Sequence, residues 1–112
     1  KVFFVNWFRK DAQGRWLWPG YGDNSRVLKW ICERVDGTGK ASKTAIGYVP
    51  TEDGIDLSGT KVRPDDMRQL VSVDVDGWKS EVEDIAAFQA KFGDRLPAAI
   101  KKELQDLRQR LG

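Results

Sequence analysis

Eight of the twelve aromatic residues lie between Phe3 and Trp30, and three of them, Trp16, Trp18 and Tyr21, are interleaved with Gly14, Pro19, Gly20 and Gly22. Such flanks supply little hydrophobic cover, so the clustering admits two readings. Trp7, Phe8, Trp16, Trp18 and Tyr21 form a loop-side core, or some of them form a slot that holds a planar ligand. Aromatic rings on loops sandwich a nucleobase at about 1–3 kcal/mol per stack, and stacking alone accepts any base. Selectivity then needs a polar reader. Asn24 is the candidate, because an amide both donates and accepts and a helix start directs polar groups toward a ligand; its plainer reading is a helix N-cap. Arg9, Lys10, Arg15 and Arg26 also interleave with the rings, the pattern of a single-stranded nucleic-acid binder. Nineteen basic against seventeen acidic residues give a net charge of only +2 with the signs interspersed, which argues against an extended phosphate track.

Other chemistries find little support. Histidine is absent and Cys32 is the single cysteine, so neither a Cys/His zinc site nor an internal disulfide is available, and a reducing, cytoplasmic compartment is expected. No GxxxxGK[ST] loop is present to cradle phosphates. The acidic group Glu81, Glu83 and Asp84 falls early in an amphipathic stretch, where it reads as a solvated face that complements the helix dipole rather than a metal site. Cys32, inside an apolar helical pattern, reads as a small core residue. No run approaches the roughly 18 apolar residues of a membrane span, and no membrane partner is expected.

These residues must be positioned by a small set of elements. Lys1–Phe8 is β-branched and aromatic and predicts a strand, its apolar run continuous enough for burial on both faces. The breakers between Arg9 and Gly22 predict a loop or open hairpin. Asp23, Asn24 or Ser25 caps a helix in which Val27, Leu28, Ile31 and Val35 recur at helical spacing, and Gly37 ends it. Residues 37–63 read as a connector with short extended stretches at Ile46–Val49 and Ile55–Leu57. Pro64, Asp65 and Asp66 suit the first turn of a short helix to Val71. Two amphipathic helices follow: residues 75–92, with Trp78, Val82, Ile85, Phe88 and Phe92 on one stripe, and Pro97–Leu111, with Ile100, Leu104, Leu107 and Leu111. The short link around Gly93 makes them antiparallel neighbours.

The string Asn6–Trp30, NWFRKDAQGRWLWPGYGDNSRVLKW, resembles a signature region of GTP-dependent phosphoenolpyruvate carboxykinases; its NWFRKD start, LWPG centre and NSRVLKW end carry the resemblance. The later IGYVP, Ile46–Pro50, and the closing helices extend it to the whole chain. The resemblance implies that Phe8, Trp16 and Tyr21 match the aromatic residues enclosing guanine, and that Asn24 matches the asparagine contributing to base recognition. Trp16 and Tyr21 stand where the family usually has phenylalanine, and Asp23 where it commonly has glutamate. The resemblance further implies an enzyme converting oxaloacetate and GTP to phosphoenolpyruvate, GDP and carbon dioxide in gluconeogenesis, with Mg and Mn held by parts of the full-length protein outside this chain.

The expected architecture is therefore α+β: an N-terminal strand and aromatic clamp loop followed by three to four helices, a fragment of a larger α/β enzyme domain. Residues 1–36 form the guanine-clamp region, 37–63 the connector and 64–112 the helical C-terminal subregion, all within the C-terminal part of a nucleotide-binding domain. A chain entering a strand-like pattern at Lys1 without a leader reads as a piece whose upstream part is a partner. A guanine nucleotide is the expected ligand, and the isolated segment is expected to be inactive. The alternative is a structural docking or dimerisation domain without nucleotide binding, in which the apolar N-terminal strand promotes self-association.

Overall fold

In the computed structural model, which describes all residues Lys1–Gly112, the strand-favouring start forms no ladder. Lys1–Asn6 has no regular secondary structure and pairs with no strand. Strand propensity expresses packing against neighbouring strands, and no second strand of this chain lies beside it. The two-faced burial expected for this segment is also corrected. Phe3, Val5 and Trp7 are partly buried while Val2, Phe4, Asn6 and Phe8 face solvent, a period-two alternation with one covered face.

The α+β class holds. Its elements are a 3₁₀ turn Tyr21–Asp23, α1 (Asn24–Asp36), β1 (Ala41–Thr44), β2 (Gly47–Pro50), α2 (Pro64–Val71), α3 (Val75–Ala90), a 3₁₀ turn Gly93–Arg95 and α4 (Ala98–Leu111). The sheet is the antiparallel β1–β2 hairpin. The extended stretch expected at Ile46–Val49 is β2, shifted by one residue, whereas Ile55–Leu57 forms no strand.

Two compact units make up the chain: Lys1–Lys43 with Tyr48–Ser72, and Thr44–Gly47 with Val73–Gly112. The first is built on Trp18, Trp30, Ile55 and Met67, with Phe3, Trp7, Val27 and Ile31 packed around them. The edge-to-face pair Phe3–Trp30, centroids 6.1 Å apart, fixes the N-terminal segment to α1. The Trp30 indole N–H donates to Lys40 O at 2.8 Å, so this buried ring leaves no polar atom unpaired. Gly37 closes α1 at φ 85°, in the left-handed region, donating its N–H to Glu33 O and Arg34 O. Leu28, Cys32 and Val35, four and then three residues apart, share the opposite face of α1 and are exposed. Cys32 is thus a surface thiol and not the core residue its apolar surroundings suggested.

In the second unit α3 and α4 pack antiparallel, burying Val82, Leu104 and Leu111 with Trp78, Ile85, Ala86 and Leu107 around them. Arg108 donates to both carboxylate oxygens of Glu83, and Arg110 Nε donates to Ala45 O at 2.7 Å in the hairpin tip. The predicted stripe continues past its partner. Phe88, Phe92 and Ile100 remain exposed and line a shallow apolar cleft with Ile85 and Leu96, because antiparallel pairing leaves only the start of α4 opposite the end of α3.

Candidate functional site

The clamp region starts as a small open hairpin that its own sequence closes. Leu17 N donates to Arg9 O at 3.0 Å and Asp11 N to Arg15 O at 2.9 Å, with Lys10 and Trp16 bridged between them. Asp11 Oδ1 accepts from Gln13 N and Arg15 N, tying the tip as an aspartate turn does. These bonds, led by the Arg15 N–H, hold the Asp11 carboxyl below its ordinary pKa.

Two arginines flanking the rings fasten this hairpin to α2. Arg9 donates to Leu70 O and Ser72 O at 3.1 Å and to Ser72 Oγ at 3.0 Å, accepting groups at the helix C-terminus. Arg15 donates to Asp66 Oδ1 at 2.6 Å in the first turn. Asp66 also receives the Arg63 guanidinium at 2.9 and 3.1 Å and the Arg63 backbone N–H at 3.1 Å, so it closes the helix start as well. The Asp66 side chain is 1% exposed, whereas those of Arg15 and Arg63, which pair with it, are well exposed. Hydrogen bonds from Arg63 and then Arg15 outweigh the cost of burial and hold the carboxyl far below the usual carboxylate range.

On this support the aromatic residues divide. Leu17 and Trp18 point into the core, Trp18 being 6% exposed, and Trp7 is partly buried. Phe8 is 72% exposed, Trp16 51% and Tyr21 94%. The reading of all five rings as one core therefore fails for three of them. Phe8 and Trp16 meet at a centroid distance of 5.9 Å and an interplanar angle of 68°, and Lys10 Nζ lies 4.1 Å from the Trp16 ring centroid. Tyr21 makes no ring pair with either. It opens the 3₁₀ turn after Gly20, whose φ of 114° is one that only glycine adopts without strain.

Asn24 is the first residue of α1 and not its N-cap; its backbone N–H donates to Tyr21 O at the end of the preceding 3₁₀ turn. Asp23 occupies the cap position, and its side chain makes no capping bond; it pairs instead with Arg26 at 3.0 Å. Asn24 Oδ1 accepts the Trp18 indole N–H at 2.8 Å. An indole nitrogen only donates, so the amide oxygen must face it, and both hydrogens of Nδ2 remain available to an acceptor. Arg26 further fixes the start of α1 by donating to Asp56 O and Ser58 O at 2.7 and 2.9 Å.

The support was missed in the sequence. Arg9 and Arg15 showed only as charges among aromatics, and Asp66 only as a dipole-complementing acid. The available signal was Asp66 three residues after Arg63, in the reciprocal position of a capping box. No group of three or more His, Cys, Asp or Glu side chains converges in this structure.

Residues 1–110 match the family described as phosphoenolpyruvate carboxykinase C-terminal P-loop domain. Proteins named phosphoenolpyruvate carboxykinase [GTP] are similar along the chain. That of Neocallimastix frontalis is 55% identical over 99% of the chain, that of Treponema pallidum (strain Nichols) 50% over 99%, and that of Paenarthrobacter aurescens 48% over 100%. In each case the match covers 18% of the relative's length. On the strength of the family match, this chain belongs to the GTP-dependent phosphoenolpyruvate carboxykinases, as a segment of their C-terminal P-loop domain.

Proposed function

We propose that this segment recognises the guanine base of the nucleotide used by a GTP-dependent phosphoenolpyruvate carboxykinase. Phe8, Trp16 and Tyr21 supply ring faces, and Asn24 supplies the polar contact. One observation carries the reading: these three rings face solvent while Trp18 and Trp30, nearby in the chain, are buried. Phe8 and Trp16 are exposed at a hairpin braced at both flanks, as a stacking surface requires, and Tyr21 is exposed on the 3₁₀ turn beyond it. The orientation of Asn24 supports guanine in particular. Its free Nδ2 hydrogens match a keto oxygen, which guanine has at O6, whereas adenine carries a donor amine there. Residues 1–36 do the recognising, and α2 holds the hairpin in place.

The whole-protein activity belongs to the same proposal: conversion of oxaloacetate and GTP to phosphoenolpyruvate, GDP and carbon dioxide, in the cytoplasm, with phosphate transfer and metal binding supplied by residues outside this chain. Two stacks and one or two hydrogen bonds give about 3–6 kcal/mol gross, so this segment holds GDP no tighter than roughly 0.1 mM to several mM. The test is tryptophan fluorescence during titration with GDP and, separately, ADP at fixed magnesium and two salt concentrations. A saturable, salt-tolerant quench favouring GDP is expected, abolished by Phe8→Ala and made less selective by Asn24→Ala. A flat response to millimolar GDP would refute the clamp as a property of this segment.

A docking role has its own observation, the exposed apolar cleft of Phe88, Phe92, Leu96 and Ile100. Because the chain spans 18% of its relatives' length, the occupant is the remainder of the same polypeptide. Sedimentation across protein concentration tests this. A monomer whose cleft fills only when the upstream part is supplied supports it, and a concentration-dependent dimer makes a second copy the occupant.

A further inference from the structure

We propose that Lys10 is a displaceable cover on the Trp16 ring and sets a preference for phosphorylated nucleosides over unphosphorylated ones. This rests on the reading of Trp16 as a base-stacking ring. Lys10 and Trp16 are bridged residues of the small hairpin, so their side chains meet across it. The ammonium sits 4.1 Å from the ring centroid, well inside the roughly 6 Å over which a cation is held by an aromatic face. Its neighbours Arg9 and Arg15 are both committed to α2, whereas Lys10 takes part in none of the chain's ion pairs. The one contact of its ammonium is the neutral ring itself.

A base and an ammonium cannot occupy one ring face together. Any base that stacks on the face Lys10 covers must first expel it, which weakens binding by roughly 2–5-fold for every ligand alike. The expelled ammonium stays tethered beside the bound base. Only a ligand carrying phosphate offers it a new partner and recovers the loss, so the cover penalises guanosine more than GDP. Lys10 is thus a specificity residue that acts by leaving.

The experiment compares guanosine and GDP binding in the chain and in Lys10→Met, while following the Lys10 ε-methylene protons by NMR. The variant spectrum identifies that signal. In the free chain the signal is expected upfield of ordinary lysine because of the ring current, and saturating guanosine returns it to the ordinary position. The ratio of guanosine to GDP dissociation constants is expected to fall roughly 2–5-fold in Lys10→Met, with guanosine itself binding tighter. An unchanged ratio, or a Lys10 signal unmoved by bound guanosine, overturns this proposal and leaves base recognition standing. Absence of guanosine and GDP binding with and without Lys10 overturns both.

Discussion

The indole N–H of Trp18 donates to Asn24 Oδ1 at 2.8 Å, so a ring buried in the first core sets the direction of an amide at the start of α1. Trp18→Phe keeps most of the buried ring but removes the donor that orients Asn24. GDP-over-ADP preference is expected to drop several-fold while summed affinity changes little, as parallel titrations with the two nucleotides will report. Stability should fall by about 1–3 kcal/mol, from the lost hydrogen bond and the smaller ring, read from urea midpoints.

Asp66→Asn removes the charge that Arg15 and Arg63 converge on. The loss of charge-assisted hydrogen bonds at this covered site is expected to cost about 1.5–3 kcal/mol in urea unfolding. Because Arg15 precedes Trp16 directly, the same variant should weaken GDP binding under conditions where it is still fully folded, which fluorescence titration will check.

The pH dependence of the same group has a definite sign. The folded-state pKa of Asp66 lies below its ordinary value of 3.8, chiefly through Arg63 and Arg15. The folded state therefore holds the ionised form more strongly than the unfolded chain does. Its stabilisation is fully present above the unfolded value and is lost as pH falls below about 4 toward the folded value. Urea midpoints measured from pH 6 down to pH 2 should fall more steeply for the unsubstituted chain than for Asp66→Asn, and equal slopes would contradict the assignment.

How much of this was legible depended on whether the signal was local. α2 begins at Pro64 and α1 ends before Gly37, as expected, because proline at a first turn and glycine at a left-handed cap are decided by backbone sterics within one turn. The N-terminal strand was not decided locally, since a ladder needs a partner that Lys1–Asn6 does not find here. β1, with the sequence Ala-Ser-Lys-Thr, has no apolar alternation and was invisible until its pairing with Gly47–Pro50 was seen. In the candidate site, the composition marked the aromatic cluster but not which rings face outward. Trp16 and Trp18 share the same spacing parity, yet they separate into exposed and buried, the last hairpin bond being Leu17 N–H to Arg9 O, before Trp18. The Leu28–Cys32–Val35 face of α1 carried the apolar signature of a core and lies outside it, because Val27, Trp30 and Ile31 already fill the covered side.

Leu104→Ala separates core packing from base contact. Leu104 is buried between α3 and α4 with Val82 and Leu111, and its truncation is expected to cost about 2–4 kcal/mol by leaving a cavity. GDP titration of the folded variant should be unaffected, since none of the proposed base contacts belongs to this cluster.

The grip of Arg9 and Arg15 on the two ends of α2 has a consequence for how the chain transmits a local event. A helix spanning only Pro64–Val71 is shorter than the roughly 12–15 residues at which isolated helices become even marginal in water, so its persistence is borrowed from what holds it. Arg15 reaches Asp66 across 51 positions of sequence, and Arg9 reaches Leu70 across 61. A ring settling against Trp16 and stiffening the hairpin would damp fraying at both ends of that helix. Slower exchange of the backbone amides of α2 would then register occupancy of a surface far away along the chain, making this short helix a built-in gauge of whether the aromatic hairpin is engaged.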